Sequence, residues 1–121
     1  MIAPGDDLAR IVMDGLARAG LSLRDRDILV IAQKIVSKSE GRMVDLIDVE
    51  PSGEAMRIAR EVRKDPRLVE VVLSESRRIV RQAPDVLIVE HRLGYVMANA
   101  GVDMSNVQQG ERGTCALLLP E

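Results

Sequence analysis

This 121-residue sequence contains no tryptophan and no phenylalanine, and Tyr95 is its only aromatic residue. Single-stranded nucleic-acid binders use aromatic side chains as stacking platforms, so their near-absence argues against that class. Positive charge is not in excess either: 17 Lys and Arg face 19 Asp and Glu, for a net charge of −2 and a pI near 5.5. That balance removes the basic footprint expected of a nucleic-acid-binding domain. A single cysteine, Cys115, leaves no intrachain disulfide and suits a reducing compartment. It lies in the apolar run 114–119, where a thiol behaves as a small hydrophobe. His91 is the only histidine and has no second histidine or cysteine at metal-ligand spacing, so it reads as a solvated or hydrogen-bonded side chain. No apolar run approaches the roughly 20 residues of a membrane span. The N-terminal MIAPGDDL lacks the basic and apolar regions of a secretory signal. The expectation is a cytoplasmic protein without nucleic-acid or membrane partners.

The hydrophobic fraction is 46%, almost all of it Val, Ile, Leu, Met and Ala. One folded domain over residues 1–121 with an aliphatic core is expected. After Pro4-Gly5, Asp6 or Asp7 can cap a helix in which Leu8, Ile11, Val12, Gly15, Leu16 and Ala19 share a face, with Gly20 at its end. Ile28–Ala32 reads as a short strand buried on both faces, and 42–49 as a weaker one. Ser52-Gly53 opens a helix to about Val62. Asp65-Pro66 opens a longer helix to about Gln82, stopped by Pro84, with Glu75, Arg77 and Arg78 on its exposed face. Further strands are expected at Val86–Glu90, at Gly94–Met97 as its hairpin partner, and at Thr114–Leu119. The mixed order defines an α+β fold with about three helices and short strands.

Two polar stretches stand out. In MANAGVDMSNV (97–107), small residues lead into Asp103, Ser105 and Asn106, so the backbone can turn tightly beside a ligand. These are oxygen donors of the kind hard cations such as Mg²⁺ or Mn²⁺ take, alongside phosphates and water. An Asx-type surface turn is the alternative. In QKIVSKSEGR (33–42), Gln33, Lys34 and Lys38 follow an apolar run at a place where strand ends often build ligand sites. The lysines can meet phosphate as point charges, and Gln33 and Ser37 can donate hydrogen bonds. A solvated β-turn with gatekeeper charges is the alternative. No GxxxxGK[ST] or GxGxxG loop is present, so a nucleotide site here is of another kind. Ser74 and Ser76 have no His/Asp arrangement that would make either a nucleophile, and residues 108–113 read as a loop.

The runs VIAQKIVSKSEGR (30–42), DPRLVEVVLSESRRIVR (65–81), VLIVE (86–90) and NAGVDMSNV (99–107), in this order, resemble the coenzyme F420:L-glutamate ligase family. That resemblance covers nearly the whole chain, from about Pro4 to Glu121. It implies GTP-dependent addition of L-glutamate to a deazaflavin through an acyl phosphate, assisted by two Mg²⁺ or Mn²⁺ ions. It further implies Asp103 as a metal ligand, Asn106, Gln33, Lys34 and Lys38 as nucleotide contacts, and an interlaced homodimer. Family members carry a strand and a Gly-Leu-Pro-type loop ahead of the matched region. Beyond it they continue through an Asp-Thr pair that completes the metal site. The chain is therefore expected to correspond to the N-terminal portion of the ligase, without the family's first strand and C-terminal half. One carboxylate cannot hold two cations, so weak or no activity is expected of this chain alone. The competing expectation is an inactive structural, oligomerising or weakly nucleotide-binding module. The whole reading requires Asp103 and the lysines to serve one site.

Overall fold

A computed structural model describes residues 1–104 and 114–121. The α+β class expected from the sequence holds: four α-helices and two small antiparallel sheets are present among the described residues. The chain forms two compact units, one of residues 1–42 with 120–121 and one of residues 43–119.

In the first unit, α1 (Leu8–Arg18) starts where Asp7 accepts a hydrogen bond from the Arg10 N–H at 3.0 Å, as an N-cap should. Gly20 follows with φ +67, a left-handed position that suits glycine, and Leu21 N–H returns to Leu16 O at 2.9 Å. No residue of α1 is buried. The segment 28–32, expected to be a doubly buried strand, is neither: it has no strand partner among the described residues, and Ile28 and Val30 are 88% and 86% exposed. An apolar β-branched run becomes a strand only when a neighbour completes its ladder, and within this unit none does. The next residues, read as a turn or strand end, instead form α2 (Gln33–Ser39), with Ser37 buried. The unit is closed by Gly5 N–H to Ser39 O at 2.7 Å and by Glu121, whose N–H reaches Glu40 at 2.8 Å and whose carboxylate lies 3.4 Å from Arg42.

The second unit holds the aliphatic core. Strand β1 (Met43–Asp45) is shorter than expected, because Asp45 accepts from Ile47 N–H and turns the chain into a 3₁₀ segment, Leu46–Asp48. Helix α3 (Gly53–Val62) is capped by Ser52, whose hydroxyl accepts from Ala55 N–H at 3.1 Å. It buries Ala55, Ile58, Ala59 and Val62, positions spaced at helical intervals. Helix α4 (Pro66–Ser74), with Pro66 in its first turn and Asp65 as cap, buries Val69, Val71 and Val72. Its expected extension to about Gln82 does not occur. Ser74 Oγ and Ser76 Oγ donate to Val71 O and Val72 O at 2.7 and 2.5 Å, satisfying the last helical carbonyls. The chain then enters β2 (Ser76–Ala83), which pairs antiparallel with β3 (Val86–His91). Arg77 and Arg78 accordingly lie on a strand, not on a helix face. Pro84 and Asp85, the latter at φ +66, make the turn between these strands.

Strand β4 (Val96–Ala98) completes the order β2-β3-β4, confirming the expected hairpin. Strand β5 (Cys115–Leu117) pairs with β1, Met43 opposite Leu117 and Asp45 opposite Cys115. Leu46, Ile58, Val62, Val69, Val72, Leu87, Val89 and Leu117 are the enclosed heart of this unit. Cys115 is only partly buried.

Candidate functional site

Strand β4 runs directly into Asn99–Gly101, a 3₁₀ turn with three consecutive left-handed residues at φ +51, +53 and +70. Two of these carry a Cβ, which makes the conformation costly, on the order of 1 kcal/mol each. The third must be glycine: a Cβ at Gly101 would meet Leu119 Cγ at 2.8 Å. Ala100 is fully enclosed, and Asn99 Oδ1 is buried without a hydrogen-bond partner among the described residues. Strain and an orphaned acceptor in one turn are what a segment shaped for something other than stability shows.

The turn delivers Asp103. Its N–H donates to Leu117 O and its C=O accepts from Leu117 N–H, both at 2.9 Å, so β5 fixes its backbone while the side chain stays half-buried. The backbone of Asp103 is thus held independently of its side chain's chemistry. Among the described residues, no group of three or more His, Cys, Asp or Glu is assembled to hold a metal. The donor set therefore fits a cation only in part: Asp103 offers one oxygen-bearing side chain, and the rest of a shell would have to come from elsewhere. Asn106 and Ser105 lie outside the described residues.

Gln33, Lys34 and Lys38 belong to the first unit, all on α2 and all half-buried. The helix, rather than the expected turn, is what groups them. Lys34 and Lys38 are four positions apart, on one face, and Gln33 and Ser37 repeat that spacing on a neighbouring face. Gln33 Nε2 donates to Ser37 Oγ at 2.8 Å. Two ammonium groups at this spacing disfavour an isolated helix by a few tenths of a kcal/mol, a cost that a bound anion reverses.

A buried charged cluster has no counterpart in the sequence reading. His91, read as solvated or hydrogen-bonded, is 0% exposed and hydrogen-bonded, and Glu75, at the end of α4 instead of on its surface, is 7% exposed. His91 Nδ1 accepts from Leu93 N–H at 3.0 Å, which puts the ring proton on Nε2. That Nε2 lies 3.3 Å from Glu75 Oε2, close enough for attraction without a well-formed hydrogen bond. Arg92 Nε donates to the same oxygen at 3.2 Å, and Arg92 N–H to Glu75 O at 2.9 Å. The cluster ties the β3–β4 hairpin to the α4–β2 junction. A histidine closing a strand, with Glu75 sixteen positions upstream, was the available signal, but charge alternation at 75–78 looked like helix surface.

The described residues thus form an α+β protein in which Asp103 follows a strained turn in one unit and Lys34 and Lys38 share a helix face in the other. The F420-0:gamma-glutamyl ligase family model matches residues 1–121, and the chain belongs to that family. It is 46% identical over 110 residues to the coenzyme F420:L-glutamate ligase of Methanothermobacter thermautotrophicus, covering 91% of this chain and 44% of that protein. It is 44% identical over 120 residues to the ligase of the same name from Methanopyrus kandleri, covering 99% of this chain and 44% of the relative. With the Methanosarcina mazei ligase the identity is 39% over 110 residues, 91% of this chain and 41% of the relative. The chain thus spans less than half the length of the curated relatives it matches.

Proposed function

We propose that this chain serves the ligation of L-glutamate to a coenzyme F420 precursor, driven by GTP. The observation that carries the reading is its 46% identity over 110 residues to a protein named for that ligation. In the proposed reaction the acceptor's carboxylate takes the γ-phosphoryl group of GTP, releasing GDP and leaving an acyl phosphate. The glutamate amine then attacks the acyl carbon, the C–O bond to phosphate breaks, and an amide forms as the amine loses its proton. Lys34 and Lys38 are assigned to phosphate oxygens, where fixed cations balance the charge that moves between donor and acceptor. Gln33 is assigned a hydrogen bond to the nucleotide, and Asn106 a further one.

Asp103 is assigned as a ligand of Mg²⁺ or Mn²⁺, phosphates and water completing the shell. Such an ion supplies charge neutralisation at the phosphates. The backbone support of Asp103 and the strained turn before it support this assignment. A homodimer and a cytoplasmic setting complete the proposal; no helix among the described residues is long and apolar enough to cross a membrane.

The test is turnover: deazaflavin acceptor, glutamate, GTP and Mn²⁺, followed by mass spectrometry for a gain of one glutamyl residue. The chain is assayed alone and with the residues of the Methanothermobacter relative that it does not align with. Product in the supplemented reaction, lost with Asp103→Ala, supports the ligase reading. No product in either leaves the chain a nucleotide-binding or structural module.

A further inference from the structure

In the first unit, residues 1–42 bury no apolar side chain, and Ser37 alone among them is enclosed. Their apolar groups are nevertheless gathered in one place. Ile2, three residues of α1 (Leu8, Ile11 and Val12) and Ile35 of α2 line a cavity of about 210 Å³ together with residues 29–32. Every side chain lining it is aliphatic. Along the run itself exposure alternates: Ile28 and Val30 are 88% and 86% exposed, Leu29 and Ile31 52% and 37%. Period two marks an extended segment with two faces, and here both faces are apolar, as in a strand covered on each side. The backbone N–H and C=O groups of residues 28–31 have no hydrogen-bond partner among the described residues. A free ladder edge beside an aliphatic groove is the arrangement that takes up a strand from another segment.

The occupant of such a groove is extended and apolar, because no charged group lines the cavity to meet an ion. The match takes up 44% of the Methanothermobacter ligase and 44% of the Methanopyrus one, so more than half of each relative lies outside it. We propose that residues 28–31 pair edge to edge with an apolar strand from the part of the ligase corresponding to those unmatched residues. Side chains of that strand fill the cavity beside α1. The pairing needs family membership and the apolar edge, but neither GTP nor a metal, so it stands apart from the nucleotide reading.

The intact chain is co-expressed with the residues of the Methanothermobacter relative that it does not align with. The two are co-purified in nucleotide-free buffer and followed by sedimentation and amide hydrogen exchange. A one-to-one complex is expected, with exchange slowed about tenfold or more at alternate amides of residues 28–31. Ile28→Lys and Val30→Lys should each weaken the complex about tenfold or more, since a lysine there enters an apolar contact. Neither should alter the melting temperature of the free chain, where both positions face solvent. Absence of a complex, unchanged exchange at 28–31 within it, or full affinity in both lysine variants overturns the proposal. So does self-association of the chain alone that protects residues 28–31, which makes a second copy the occupant. A protected complex that binds no GTP sinks only the nucleotide reading, and turnover with residues 28–31 unprotected sinks only the pairing.

Discussion

Asp103 and Leu117 exchange a pair of backbone hydrogen bonds, each 2.9 Å, so the main chain of β5 holds the acid's backbone in place. With the backbone braced in this way, Asp103→Asn should leave unfolding free energy within about 0.5 kcal/mol of the parent while removing the proposed cation ligand. Urea denaturation checks the first half; a loss of more than about 2 kcal/mol would mean that the carboxylate holds the turn together.

Gly101 combines φ +70 with a Cβ position only 2.8 Å from Leu119 Cγ. Gly101→Ala should cost about 1–3 kcal/mol, from left-handed strain and displacement of a neighbouring side chain. Equilibrium unfolding is the measurement, and an unchanged midpoint contradicts the geometry.

Glu75 neutralises Arg92 and faces the Nε2–H of His91 in an enclosed setting. Glu75→Ala should lose about 1–3 kcal/mol, because the buried His91 Nε2–H then loses the carboxylate it faces. Hydrogen exchange at the Leu93 and Tyr95 amides should rise with it, since the hairpin loses its anchor.

Two carboxyls set an acid limb. The Arg67 guanidinium beside Asp65 holds that carboxyl below its ordinary 3.8, reinforced by the backbone N–H of Arg67 against an opposing burial effect. The Ser52 hydroxyl and N–H hold Glu70 below its ordinary 4.5. A depressed folded value means that the stabilisation is complete above the unfolded value and disappears as pH falls through the folded one. Melting temperature should be flat above about pH 5 and decline below it, and Glu70→Gln should shallow that decline. An undiminished slope in Glu70→Gln would remove Glu70 from the account.

Ile28 and Val30 face solvent in this structure. Ile28→Lys and Val30→Lys should change unfolding free energy by no more than about 0.5 kcal/mol. A loss of about 2 kcal/mol or more would restore the buried strand read from the sequence.

That strand shows where pattern fails. The residues Ile28–Ala32 carry a strand's composition, but a strand is a relation between two segments, and composition names only one of them. The stretch 75–82 failed for a related reason. Its charges fit a helix face, while the two serines that bond to helical carbonyls and the turn at Asp85 divert it into a hairpin. Caps and glycines were legible because their effects are local: Asp7, Ser52 and Asp65 all begin helices where the sequence said they should. The polar groups of 33–38 and Asp103 were legible as residue types, and it took the fold to show that a helix groups the former and a backbone bridge braces the latter. The Glu75–His91–Arg92 cluster was illegible, because burial of a charge depends on partners sixteen or more positions away.

The most direct measurement is a calorimetric titration of GTP into the chain with and without Mn²⁺, repeated on Asp103→Asn and on Lys38→Ala. The account predicts Mn²⁺-dependent binding that Asp103→Asn abolishes, and that Lys38→Ala weakens about tenfold, as loss of a charged hydrogen bond should. GTP binding that ignores both Mn²⁺ and Asp103, or heats that stay flat in the unaltered chain, would contradict it.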